Sequence, residues 1–193
     1  MAALPADVKA ALERQAPKAL KSKFKQLAQK EFKKIKAEMM AEFLANPVTQ
    51  EIMEGPSAPN ISGTLGGVSN LFAFIGFDAA ESPMAPILSL LENTNLEYKE
   101  EVKGKEIGVG FTVTLPTAEE IFAVTPLPWA AGRSWAQGIE RGLSGLGYLL
   151  RKNEGRSGAA IQSRVKVRGG RFHNTPYISA FLKKYKKRFE ELK

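Results

Sequence analysis

Apolar side chains recur every three or four residues across the N-terminal part of the chain and define one face of a helix. They are Leu20, Phe24, Ala28, Phe32, Ile35, Met39 and Phe43. The spacing predicts one long helix that begins near Lys18 and ends at Asn46–Pro47. A separate short helix over residues 6–15 is expected to stop near Pro17, because proline disrupts a continuing helix.

Lysines cover the rest of this helix, at Lys21, Lys23, Lys25, Lys30, Lys33, Lys34 and Lys36. A basic amphipathic helix can lie on a membrane or on nucleic acid, and it can also pack on its own domain, which most amphipathic helices do. We divide the chain at the end of this helix. Residues 1–46 form a basic N-terminal helical extension and the long helix. Residues 47–193 form an α+β core domain that ends in an amphipathic helix.

The strongest strand signal in the core domain is a hairpin. Ile107, Val109, Phe111, Val113 and Leu115 alternate strictly with other residues after a turn at Lys103-Gly104-Lys105. Leu96 and Tyr98 precede that turn in a matching strand. Two such runs joined by a glycine-containing turn are typical of an antiparallel hairpin.

Shorter patterns supply the remaining elements. We expect a helical turn over 47–54, a loop over 55–67, strands over 68–77 and 159–167, and helices over 83–93, 117–122, 134–141 and 175–192. Ser82 and Thr175 are the expected N-caps of two of these helices, each followed by proline. The sum is an α+β fold, with a long N-terminal helix and a C-terminal helix packed on a small, mostly antiparallel sheet.

Charge is distributed very unevenly. Residues 1–40 carry ten Lys or Arg and four acids, a net charge of +6. Residues 41–150 carry five Lys or Arg and thirteen acids, a net charge of −8. Residues 151–193 carry thirteen Lys or Arg and three acids, a net charge of +10. The basic ends therefore suit polyanions or acidic protein surfaces, including the middle of another copy.

Composition argues against catalysis. The 193 residues include no cysteine and one histidine, His173, which excludes thiolate chemistry, disulfides and multi-histidine metal sites. Adjacent acids such as Glu119 and Glu120 lack any sign of the convergence that a catalytic pair needs. No glycine-rich stretch matches a phosphate-binding loop. We expect no catalytic residues, no cofactor, no metal and no small-molecule substrate.

Two groups of residues are candidates for binding. Basic side chains that could face DNA or an acidic partner are Lys33, Lys34, Arg164, Lys166, Arg168 and Arg171. Those at 164, 166 and 168 would share one face of a strand, and a phosphate backbone or an acidic subunit surface would suit them equally. Apolar side chains that could enter a subunit interface are Trp129, Trp135, Leu143 and Leu146, although the two tryptophans also suit simple core packing.

Membrane insertion is not expected. The N-terminus has no continuous apolar segment of the kind a signal peptide needs. The longest uncharged stretch, residues 55–77, is rich in Gly, Ser, Asn and Pro, which suit a membrane-spanning helix poorly.

Three short motifs add a resemblance. Ser62-Gly63-Thr64-Leu65 follows the long helix, Ile139-Glu140-Arg141-Gly142 precedes the last part of the chain, and Pro176-Tyr177-Ile178 opens the final helix. Over roughly residues 18–193 this order resembles the neck or tail-completion proteins of tailed bacteriophages. An extra N-terminal helix and additions around residues 76–94 and 152–158 depart from that family.

The resemblance implies a virion structural protein of the head–tail junction, assembled in the host cytoplasm. Copies would form a homo-oligomeric ring between the portal and the tail, contact other head–tail proteins and let DNA pass. The alternative hypothesis is a basic protein that binds nucleic acid without sequence preference, which would use the cationic ends.

Overall fold

The structure is a computed structural model that describes residues 6–65, 70–103, 106–128, 130–141 and 177–191, with side chains described over 20–65, 70–99, 110–128, 131–140 and 177–191. Helix α1 spans Ala6–Ala45, and its 40 residues extend over about 60 Å. The predicted stop near Pro17 is therefore wrong. Alanine, leucine, lysine and glutamine surround this proline, and these strong helix formers favour continuation on both sides.

The second half of α1 packs on the rest of its own chain. Its buried side chains are Ala28, Phe32, Ile35, Met39 and Phe43. Residue 46 then redirects the chain, because the Asn46 Oδ1 accepts a hydrogen bond from the Val48 backbone N–H at 2.9 Å and so caps helix α2 (Pro47–Met53). The helical turn predicted after Asn46 is confirmed.

The apolar run over 68–77 forms a helix, so the strand predicted there is wrong. Helix α3 spans Leu71–Ile75, with Asn70 as its N-cap and Gly76 at φ +86° as its left-handed C-cap. A short apolar run bounded by such residues suits a strand or a buried helix equally in sequence. The two capping residues favour the helix, because they satisfy backbone groups at both ends of a single helical turn.

The remaining elements follow the predicted order. After helix α4 (Ala85–Glu92), strands β1 (Asn95–Lys103) and β2 (Glu106–Thr114) form the expected antiparallel hairpin, with Lys103 opposite Glu106. Helix α5 (Ala118–Ala123) begins with a capping box between Thr117 and Glu120. Helix α4 begins two residues later than predicted, at Ala85, and Met84 takes the N-cap position expected for Ser82.

A second hairpin, strands β3 (Pro126–Leu127) and β4 (Ala130–Ser134), leads directly into helix α6 (Trp135–Arg141). Helix α7 (Ile178–Glu190) closes the described chain, and the predicted cap Thr175 and strand 159–167 lie outside the described residues. The α+β class is thus confirmed. The antiparallel strands form two separate two-stranded sheets in place of one.

One apolar core joins the seven α-helices of the described residues. Its largest fully buried side chains are Met39, Phe43, Ile52, Leu71, Ile75, Ile87, Leu91, Ile121, Trp135, Tyr177, Ile178 and Tyr185. Because this core includes residues on both sides of residue 46, the second half of α1 is a structural part of it. A domain boundary at residue 46 remains a prediction.

Two buried polar side chains organise the segment between α2 and α3. The Glu51 carboxylate is fully buried and accepts hydrogen bonds from the Ser62 N–H at 2.7 Å and the Leu71 N–H at 2.6 Å. The Asn70 amide donates to the Pro56 and Ala58 carbonyls at 2.8 and 2.9 Å. Together with a short 3-10 helix over Gly55–Ser57, these bonds fix the described residues on either side of 66–69 to α2 and α3.

We predict that Glu51→Ala destabilises the fold by about 2–4 kcal/mol, because it leaves two backbone N–H groups without an acceptor. Glu51→Gln, with one acceptor oxygen in place of two, should lie between Glu51→Ala and the wild type. Urea unfolding followed by circular dichroism measures this. The matched control is the exposed Glu54→Ala, which should change stability by less than about 0.5 kcal/mol. Equal effects at residues 51 and 54 would contradict the role of Glu51.

Candidate functional site

Helices α1 and α7 are joined by a polar clasp, which we define as Glu38, Glu42, Lys184, Tyr185 and Arg188. The Lys184 Nζ donates to both Glu42 oxygens at 2.7 and 2.6 Å, and the Tyr185 hydroxyl donates to the same carboxylate at 2.6 Å. One helical turn away, the Arg188 guanidinium lies 2.5 Å from a Glu38 oxygen. Both helices therefore have a fixed relative register.

Aromatic rings lie beneath the clasp. Phe32 packs on Phe189 with ring centroids 5.5 Å apart, and Phe43 packs on Phe181 at 5.4 Å. Such pairs add to the free energy gained from burying their area alone. The α1–α7 contact thus combines an apolar base with charged pairs at its solvent edge.

The clasp shifts the acid–base behaviour of its members. Hydrogen bonds from Lys184 and then from Tyr185 hold the pKa of Glu42 below its ordinary value of 4.5. Burial, followed by the hydrogen bond to the Glu42 carboxylate, raises the pKa of Tyr185 to about 12. The hydrogen bond to Glu38 raises the pKa of Arg188. Each shift keeps the side chain in the protonation state that its pairing requires: Glu42 ionised, Tyr185 neutral and Arg188 charged.

Residues of the three resemblance motifs also make contacts that maintain the fold. Ser62 binds the buried Glu51, as described above. The Tyr177 hydroxyl, buried in the core, hydrogen-bonds the Thr49 hydroxyl at 2.7 Å, and burial raises the pKa of this tyrosine. The Glu140 carboxylate accepts hydrogen bonds from the Ser179 N–H and, at 2.7 Å, from its hydroxyl, at the start of α7. These motif residues position helices α2 and α7.

The first hairpin lies against α1 near the middle of that helix. The Tyr98 hydroxyl hydrogen-bonds the Lys25 carbonyl and the Gln29 side chain, each at 3.0 Å. The Lys36 ammonium donates to the carbonyls of Glu92 and Thr94 at 2.5 and 2.9 Å, where α4 ends and β1 begins. These bonds place the hairpin beside the part of α1 that precedes the clasp.

The N-terminal part of α1 leaves large apolar side chains in solvent. Leu20 is 67% exposed and Leu27 is 62% exposed, and Phe24 is also exposed. Leu20 and Phe24 continue the spacing of Phe32 and Met39, but the described buried positions of α1 begin only at Ala28. Phe24 packs in part on Phe111, with ring centroids 6.1 Å apart, whereas Leu20 and Leu27 are mostly in solvent. The long apolar stripe read from sequence is therefore buried over only part of its length.

Open grooves lie beside Phe24. One, of about 690 Å³, runs between β2 and α7 and is lined by Phe24, Phe111, Leu115, Lys186 and Phe189 among others. The second, of about 450 Å³, lies where α1 meets the end of α7, and its lining includes Leu27, Lys34 and Arg188. Exposed apolar surface bordered by charged side chains is typical of a protein–protein contact surface.

The predicted site residues are placed as follows. Lys33 and Lys34 are exposed on α1, as a role in binding requires. Trp135 is 1% exposed, and its ring packs edge-on against Phe77 at 5.8 Å, which favours core packing over an interface role. The other candidates lie outside the described residues, namely Trp129, Leu143, Leu146, Arg164, Lys166, Arg168 and Arg171, as does His173.

Sequence reasoning missed the clasp, Glu51 and the exposed end of the apolar stripe. Glu51 did carry a signal, because it lies three residues after Val48 and one before Ile52 in a short helix, where a buried acid is unusual unless it has a partner. The clasp gave no sequence signal. Residues 38–42 and 184–188 are more than 140 positions apart, and each segment resembles an ordinary solvated helix surface.

Titratable side chains of the described residues make contacts within the fold. Within the described ranges, no three His, Asp or Glu side chains come close enough to hold a metal ion. The groups with shifted pKa values pair with one another across helix contacts or lie in the core. Over the same part of the chain, no helix is both long and apolar enough to cross a bilayer.

Comparisons of the chain with protein-family models, with curated proteins and with solved structures gave no significant match.

We predict that the clasp weakens in acid. The pKa of Glu42 is lower in the folded chain than its ordinary 4.5, so its stabilising effect is complete above that value and is lost as the pH falls through the folded-state pKa. Wild type should exceed Glu42→Gln in unfolding free energy by about 0.5–1 kcal/mol at neutral pH, the range for solvent-exposed pairs, and by progressively less in acid.

Denaturant unfolding across the acidic range measures this difference. Glu92→Gln, which removes an exposed carboxylate outside the clasp, is the matched control and should stay within about 0.5 kcal/mol of wild type. An advantage of wild type over Glu42→Gln that persists or grows at low pH would contradict the assignment.

Proposed function

We propose that this chain is a non-catalytic structural subunit that assembles with copies of itself into a ring, and that the ring belongs to the head–tail junction of a tailed-bacteriophage virion. The observation that carries the proposal is the exposed apolar stretch of α1 at Leu20, Phe24 and Leu27. A chain whose described residues form an apolar core and also expose large apolar side chains is suited to bury those side chains against another protein.

The fold supports a structural role in two further ways. Its polar networks, at Glu51 and in the clasp, are used to hold segments and helices in place. The motif residues Ser62, Glu140 and Tyr177 likewise make structural contacts. These contacts support a subunit whose task is to keep a fixed shape.

The head–tail assignment depends on the resemblance to neck and tail-completion proteins. It implies other head–tail proteins as partners, passage of DNA through the ring, and a final location in the virion. No cofactor or metal has a part in the proposed function.

Binding to nucleic acid is the second candidate, and the lysines on the exposed side of α1 favour it. Lys23, Lys30, Lys33 and Lys34 are all exposed. Lysines that contact phosphates release counterions, so binding would weaken steeply as salt increases. The mixture of these lysines with exposed leucines favours a protein partner, since a phosphate backbone offers no apolar surface to Leu20 and Leu27.

We predict that the purified chain self-associates with rising concentration. Sedimentation velocity should show species larger than the 21.1 kDa monomer, and negative-stain electron microscopy should show closed rings. Random-sequence duplex DNA, titrated at about 50 and 200 mM salt, separates the two candidates. A monomer at every concentration that binds DNA tightly at low salt would overturn the ring proposal and favour the second candidate.

A further inference from the structure

We infer that neighbouring copies pack head to tail, with one named surface of α1 docked on a different named surface of the next copy. The first is the basic face, which we define as Leu20, Lys23, Leu27, Lys30 and Lys34. The second is the acidic patch, which we define as Met53, Glu54 and Ile61. The inference rests on the proposed self-assembly and assigns the two surfaces that carry it.

The basic face is a continuous strip of α1. Its five positions follow one another at steps of three and four residues, so they lie on one side of the helix. The buried positions Ala28, Phe32 and Met39 occupy the opposite side. The strip thus presents two large apolar side chains with three lysines between and beside them.

The acidic patch is smaller and rigid. Met53, the last residue of α2, is 50% exposed and Ile61 is 38% exposed, while the neighbouring Glu54 is exposed as well. The buried Glu51 carboxylate holds the Ser62 N–H at 2.7 Å, so the residue after Ile61 is tied to α2. A docking surface that is already ordered loses less conformational entropy when it binds.

Charge complementarity identifies the occupant as a second copy. Residues 18–36 contain eight lysines and one acid, Glu31. Residues 37–98 contain no lysine or arginine and eight acids. Because one chain carries both charge blocks, copies attract each other when the first block of one meets the second block of the next.

Several of the eight acids are already used within the chain. Glu38 and Glu42 belong to the clasp, and Glu51 is buried. Glu54 is exposed next to the exposed Met53, so a carboxylate and a large apolar side chain adjoin there as lysines and leucines do on the basic face. This places the attraction at the acidic patch.

The positions of the two surfaces require a heterologous contact. The basic face lies on the turns of α1 from Leu20 to Lys34, whereas the acidic patch follows the end of that helix at Ala45, so the two are separate surfaces of the molecule. Two basic faces would repel each other, which disfavours a symmetric dimer through this face. When the basic face of one copy binds the acidic patch of the next, the pair still has one free basic face and one free acidic patch. Further copies can add at these two surfaces, which gives a ring or a filament.

A complementation experiment tests the inference. The first variant, Leu20→Glu with Leu27→Glu, disables the basic face. The second, Met53→Lys with Ile61→Lys, disables the acidic patch. Lys99→Glu reverses an exposed charge on β1, outside both surfaces, and is the matched control. All substituted side chains are exposed, so each variant should keep the circular dichroism spectrum and melting temperature of wild type.

Each double variant alone should need at least about a thirtyfold higher concentration than wild type to assemble, a loss typical of central interface residues. A mixture of the two should form heterodimers and stop there, because only one intact pair of surfaces remains. Sedimentation velocity and native mass spectrometry resolve these species, and Lys99→Glu should assemble as wild type does.

Three results would overturn the inference. If wild type assembles and both double variants assemble equally well, other surfaces join the copies, while the proposed ring function stands. If one variant assembles normally and the other fails, the contact is not between these two surfaces. If wild type stays monomeric but binds anionic phospholipid vesicles or DNA through the basic face, the proposed function fails together with the inference.

Discussion

The pairing of α1 with α7 is the contact on which the rest of the structure depends. It joins residues more than 140 positions apart, and it supplies the core with Phe32, Phe43 and Phe189. The clasp sets the register of the two helices. The Glu42 carboxylate accepts hydrogen bonds from both Lys184 and Tyr185, so α1 cannot shift along α7 without breaking them. With these helices held, the other elements pack on a defined surface.

That contact also sets the limit of the core. Helix α7 ends at Glu190, beside the middle of α1, and the buried positions of α1 begin at Ala28. The described turns before Ala28 continue as helix with Leu20 and Leu27 exposed. Helix α1 therefore serves two purposes. Its second half packs in the core, and in our proposal the exposed side of residues 20–34 contacts another copy.

Local patterns predict much of this fold. The hairpin, α5 and α6 follow from alternation and capping residues, and α1 follows from its regular apolar spacing. Periodicity cannot show where a partner helix ends, so it could not separate Phe32, which is buried, from Leu20, which is exposed. It also could not distinguish a strand from a helix over 71–75, since the answer depends on the Asn70 cap. Long-range pairs such as Glu42 and Lys184 leave no local signal. The candidate site is correspondingly harder to predict than the elements that form it.

Hydrogen–deuterium exchange along α1 tests the central claim most directly, because it reports on both halves of one helix in a single experiment. Amides from Ala28 to Phe43 should be protected in dilute monomer and in the assembled protein alike. Amides from Leu20 to Leu27 should exchange quickly in the monomer and become protected on assembly. Equal protection of both halves in the monomer, with no change on assembly, would contradict the account.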